Sequence, residues 1–204
     1  MNSFSRGGHS SSALAVWPPL VLLLLSGCAR PLMYHYVDTA LPVVSIEDVK
    51  SVASPPPVQL LVEFRTKGSP NSIVTGLVKP VVFESVAKTG LISQVSEAPV
   101  TGGRFLTIVI DNVALSGGAA VKEAGWNLAP APAGSVTDGY ICTTTYSAPG
   151  SKANTKTVRH AIHSTFANVE GPKGVLAMTN REALTEVVQQ LTLNALRALR
   201  QDGL

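Results

Sequence analysis

His160-Ala161-Ile162-His163 has a spacing that would hold a metal ion on a helix, where residues three apart share a face. The surrounding stretch TKTVRHAIHSTF is β-branched and alternating, and in a strand residues three apart point to opposite faces. Arg159, Ala161 and His163 then line one side, with His160 and Ile162 on the other. Glu170 is the first acid to follow. The expectation is two strand histidines and no metal site. Asp111-Asn112, at the end of an apolar run, reads as a strand terminator, and Asp138-Gly139-Tyr140 as a turn that opens a strand. The glycine pairs at 102–103 and 117–118 are not followed by the residues that phosphate binding needs. No Gly-x-Ser-x-Gly elbow offers a hydrolase serine. No catalytic residue and no cofactor is expected.

The other reactive side chains are the two cysteines, Cys28 and Cys142. Cys28 ends the stretch LLLLSGCAR. Before it stand a polar start with one cation, Arg6, an apolar run over 13–25 and the small pair Ser26-Gly27. The run is too short for a bilayer core, which needs about 20 residues, and Pro18-Pro19 breaks its helix near the start. Length and flanks predict a cleaved signal over 1–27 rather than a span. Leu25-Ser26-Gly27-Cys28 resembles the bacterial lipobox. That resemblance implies cleavage between Gly27 and Cys28 and covalent lipid on the Cys28 sulfur and new amino terminus. Two or three acyl chains anchor stably where one does not. Ala29 stands where an aspartate would imply inner-membrane retention, so the resemblance implies outer-membrane sorting with the domain facing the periplasm. Cys142 is then alone, so no disulfide within the chain is available, and its neighbours make it a small core residue.

The chain carries 16 Lys and Arg, one of them Arg6, against 13 Asp and Glu. Without 1–27 it is close to neutral and has no basic run, which excludes a nucleic-acid footprint. Residues 28–57 read as a lipidated tether and Pro-rich linker, stiffened by Pro31, Pro42 and Pro55-Pro56-Pro57. Within it Tyr34 and Tyr36 suit a headgroup region if the stretch stays near lipid. Alternatively, the linker is partly ordered and packs on the domain. Ser45 with Asp48 mimics a capping box.

The domain is expected over 58–204. VQLLVEFRT alternates, with Val58, Leu60, Val62 and Phe64 on one face, and predicts a strand. KGSPN is a turn, and Ser69 or Asn71 can cap a helix that closes on Gly90. Pro80 inside that helix predicts a kink or a broken first half. LISQVSEAP is a short strand, and GGRFLTIVIDNVAL a central one with both faces buried. GYICTTTYS and TKTVRHAIHSTFAN form a long hairpin across APGSKAN. TNREALTEVVQQLTLNALRALRQDG is a helix with Thr179 and Glu182 as capping box and Leu184, Val188, Leu191, Ala195 and Leu199 as its stripe. The order β-α-β-β-insertion-β-β-α predicts an α+β fold, a small mixed or antiparallel sheet with two helices on one face. The insertion at 116–137 is either a contact surface anchored by Trp126, for partner or membrane, or a mobile loop whose indole packs on the sheet.

These stretches together resemble uncharacterised Gram-negative envelope lipoproteins, and more distantly the curli-secretion lipoprotein and the amino-terminal domain of the Tol translocation protein. The resemblance covers Val58 to Leu199 and carries over no functional residue. It implies a binding or accessory component of envelope assembly, secretion or transport, not an enzyme, with membrane lipid held through Cys28 and a protein partner in the envelope. The rivals are a subunit of an oligomeric secretion pore and a periplasmic enzyme. Against the pore, the insertion lacks the alternating run of about 9–11 residues that a membrane-crossing strand needs.

Overall fold

A computed structural model describes residues 33–49, 52–115, 126–166 and 169–203. Seven strands and two helices build an α+β fold: β1 (Met33–Val37), β2 (Pro57–Thr66), β3 (Ser69–Pro70), α1 (Ser72–Lys88), β4 (Gln94–Ser96), β5 (Phe105–Leu115), β6 (Val136–Ser147), β7 (Asn154–Phe166) and α2 (Asn180–Gln201). The sheet is mixed and runs β1-β7-β6-β5-β2-β3, with β4 also beside β2. β2 lies parallel to both β5 and β4, and the other pairs are antiparallel.

Register decides which side chains meet. Leu60 pairs with Leu106, Val62 with Ile108 and Phe64 with Ile110, and across the next strand Ile110 faces Cys142. These even-numbered side chains share one face because strand side chains alternate. They form one core with Val78, Val82 and Val86 of α1 and Val188, Leu191, Ala195, Leu196 and Leu199 of α2. Both helices therefore cover the same face of the sheet.

Asn71 starts α1 by accepting the Val74 N–H at 3.1 Å, and Gly90 follows its end at φ 67°. The break expected at Pro80 does not occur, and the helix runs through it. Pro80 and Gly76, whose carbonyl it leaves unpaired, are both exposed, so water can take the missing bond. Thr179 and Glu182 form the expected capping box of α2. Lys67 (φ 53°) and Gly68 (φ 79°) are the two central residues of the β2–β3 hairpin, a conformation its tight right-handed twist demands. Asp111 does not terminate its strand as expected: β5 runs on to Leu115, and the Asp111 carboxylate accepts the Gly68 N–H at 2.9 Å.

Three expectations need correction. β5 is central, but only one of its faces is buried: Thr107 and Val109 are half-buried and Phe105 exposed, because no helix covers that side. Val136 and Thr137, placed in the insertion by sequence, begin β6. The largest change concerns the tether over 28–57. MYHYV within it is β1, an edge strand whose backbone bonds are taken up by β7. The following residues are bound to α2: Gln190 Oε1 accepts the Val44 N–H at 2.9 Å, and Asn194 donates to the Pro42 carbonyl at 3.0 Å. Val44 and Val49 lie in the core. Of the two sequence readings, the linker packed on the domain describes 33–49. Ser45 and Asp48 make their reciprocal turn, at 2.8 and 3.3 Å. Cys28, Gly27 and the signal over 1–27 lie outside the described residues, as do residues 116–125 of the insertion.

Candidate functional site

The face of the sheet opposite the helices is open over β2 and β5 but covered toward β1. There the odd-numbered side chains of β7 and β6 meet the even-numbered ones of β1: His163 pairs with Thr137 on one side and Tyr36 on the other. Asp38, one step past β1, donates its N–H to the Ala161 carbonyl at 3.0 Å, which carries its side chain onto this same face. The result is a chain of three groups. Asp38 Oδ2 is 2.8 Å from His163 Nε2, and His163 Nδ1 is 2.9 Å from Thr137 Oγ1. Since a carboxylate only accepts, Nε2–H donates to Asp38, and in the neutral imidazole Nδ1 is then the acceptor of the Thr137 hydroxyl.

A hydroxyl, an imidazole and a carboxylate in series is also how a nucleophile is activated. Here only the hydroxyl end, Thr137, is partly exposed. The side chains of Asp38 and His163 are almost wholly enclosed, and both carboxylate oxygens already hold backbone donors, Ala40 N–H on Oδ1 and Ala129 N–H on Oδ2, each at 2.8 Å. The grooves lined by Leu176, Met178, Arg181 and Glu182, and by Leu61, Glu63, Arg65 and Val109, contain none of the three residues. What the chain of bonds does is join four segments: the turn after β1, the segment at Ala129, β6 and β7. Burial pushes the Asp38 carboxyl up, but the bonds from His163, Ala40 and Ala129 outweigh it and hold it below the ordinary carboxylate range.

Two close aromatic contacts lie on the same face. A Cβ at Gly139 would stand 2.6 Å from Trp126 Cη2, and one at Gly171 would stand 2.1 Å from the Tyr36 ring. Only glycine lets each loop approach so near. Trp126 is 6% exposed and Tyr36 is also buried. The expected partner or membrane contacts at these two positions are corrected: each ring is spent inside the domain. Tyr34 stays partly exposed on β1. Among the described residues no three His, Cys, Asp or Glu side chains converge as a metal group.

No family model matches this chain, and no curated protein matches it. Solved structures are similar to it. One is a PelC variant dodecamer from Paraburkholderia phytofirmans, 12% identical over 82% of this chain and 97% of that one, with a TM-score of 0.35. Another is the rare lipoprotein B of Shewanella oneidensis, 11% identical over 70% and 92%, at 0.29. A third is a minor lipoprotein from Acinetobacter baumannii, 14% identical over 72% and 89%, at 0.30. Likeness at TM-scores this low carries no argument about function.

The two histidines of the H-x-x-H stretch do part to opposite faces. His160 sits on the helix side opposite Tyr140, buried, with Nδ1 unpartnered. Burial lowers its pKa to about 4; Asp38 opposes this shift and His163 adds to it. The unfolded chain takes up this proton near pH 6.5 and the folded one does not. Stability is therefore full above pH 6.5, falls as pH drops toward 4, and this contribution is flat below that. The loss is expected to be about 3 kcal/mol. Urea unfolding across that range should record it, and His160→Leu should flatten the slope while leaving stability at pH 7 unchanged or raised. Sequence spacing missed Asp38 and Thr137 as partners of His163. The signal that could have pointed to Asp38 is its place two residues after Tyr34-His35-Tyr36, where alternation continues the face of the tyrosines.

Cys142 is buried and its thiol is pushed up by burial to about 11, so at neutral pH it is a small apolar core residue rather than a nucleophile. Tyr140, across the sheet from His160, is likewise shifted upward by burial and by Asp138.

Proposed function

We propose that this chain is an outer-membrane lipoprotein, anchored through acyl chains on Cys28, whose periplasmic α+β domain works by binding as an accessory component of envelope assembly, secretion or transport. The observation that carries the reading is Leu25-Ser26-Gly27-Cys28 at the end of an apolar run too short to span. No described helix is long and apolar enough to cross a membrane, so α1 and α2 offer no alternative anchor of that kind. A binding role fits the interior better than an enzymatic one, because the Asp38 and His163 side chains are enclosed.

The test is metabolic labelling with palmitate followed by separation of inner and outer membranes. Label is expected on the wild-type protein in the outer-membrane fraction and is expected to vanish in Cys28→Ala. Label that persists in Cys28→Ala defeats the anchor, and labelled protein in the inner membrane defeats the sorting. Affinity capture of the full-length lipoprotein from membranes then identifies the envelope protein it binds.

A further inference from the structure

The shortened tether has a geometric consequence. Because β1 starts at Met33, only residues 29–32 separate it from Cys28. Five Cα-to-Cα steps reach at most about 18 Å. A lipid on Cys28 would therefore hold the start of β1 beside the bilayer, where the 28–57 linker would have let the domain stand well away.

Three side chains at that end of the sheet are apolar and exposed, around the His35–Ser164 hydrogen bond. Met33 pairs with Phe166 across β1 and β7, and Val136 faces Ser164, two residues from Phe166 on the same side. Alternation puts all three on one face, at adjacent and diagonal positions within side-chain reach. They are 43%, 41% and 53% exposed for Met33, Phe166 and Val136. The first residue of β1, the last of β7 and the first of β6 thus bring large apolar side chains to one corner. It is the corner into which the anchored segment leads.

We propose that Met33, Val136 and Phe166 form a membrane-contact patch that lies in the headgroup region beside the Cys28 lipid and fixes the tilt of the domain on the bilayer. This rests on the lipidation proposed above. The chemistry of the occupant is a phospholipid surface: the patch is apolar, lies within tether reach, and adds buried apolar area to an anchor in the way that a second membrane signal does.

The mature lipidated protein, reconstituted in vesicles of phosphatidylethanolamine and phosphatidylglycerol, tests it. An environment-sensitive dye is placed on Val136→Cys, on Phe166→Cys and, as comparator, on Ile73→Cys, an exposed position on α1. Cys142 is buried and Cys28 acylated, so the new thiol is the reactive one. Spin-labelled lipid is expected to quench the dye at 136 and 166 and to leave it bright at 73. Protein that floats with the vesicles yet shows equal emission at all three positions overturns the patch and leaves the lipoprotein reading standing. A blue shift at 136 and 166 that grows with protein concentration without vesicles assigns the patch to a second copy and also overturns it. Wild-type protein that fails to float removes the anchor, and the patch with it.

Discussion

Asp38→Ala is expected to destabilise the domain by about 3–5 kcal/mol, because it leaves a buried imidazole without its partner. Two backbone donors, Ala40 N–H and Ala129 N–H, lose their acceptor in the same substitution. Urea unfolding followed by circular dichroism measures the loss, and a change under 1 kcal/mol would mean the bonds are not held in solution. Asp38→Asn separates charge from shape, since its one amide oxygen can still accept at either the Ala40 or the Ala129 N–H while its NH2 group faces the other. It should cost less at pH 7 and remove the acid limb of the stability curve that belongs to this group. The sign follows from the lowered carboxyl. The unfolded chain binds the proton first as pH falls, so the contribution is complete above about pH 4 and is lost below it as the folded carboxyl titrates.

Trp126→Ala should cost a comparable amount, about 3–5 kcal/mol, since it empties the space between the loop and the sheet at Gly139 and Leu115. Trp126 is the one tryptophan of residues 28–204, so unfolding of this variant is followed by circular dichroism, and wild-type emission separately reports the site. Gly139→Ala probes the same contact from the other side. A methyl at 2.6 Å from the indole forces a shift worth about 1–3 kcal/mol and should move the emission maximum to the red as water reaches the ring. Emission that stays unchanged would show that the indole does not lie on Gly139. If the ring were instead a partner anchor, both substitutions would spare stability and lower only capture of the envelope protein.

The elements with strong periodicity were legible before any coordinates. The VQLLVEFRT strand, the hairpin across APGSKAN, the capped carboxy-terminal helix and the α+β class all follow from local pattern. So did the parting of His160 and His163, which needs only the alternation of a strand. β1 was hard to read because five residues of strand sit between Pro31 and Pro42, where local signals favour linker. Its partner, β7, lies beyond almost the whole domain, and edge pairing at that distance leaves no periodic trace. The Asp38–His163 bond has the same character, with 125 residues between its ends. The sequence around Trp126 fits either an anchor or a packed ring. The deciding fact, a glycine directly beneath it, appears only when the register of β6 is known. Pro80 does not break its helix, because Gly76, which loses the partner of its carbonyl, is exposed and water can take the bond.

The pairing of β1 with β7 also orders the events of folding. Residues 33–37 find their partners at 162–166, so a chain made from its amino terminus holds its first strand unpaired until nearly all of the domain has followed. Loop closure over such a distance is entropically costly and brings only one edge pair. The ladder from β2 through β5, β6 and β7 can assemble without it, so the edge strand is expected to close last. Until it does, the outer edge of β7 is an open template for any other strand within reach. The described segment nearest Cys28 in sequence is thus the one that completes the sheet.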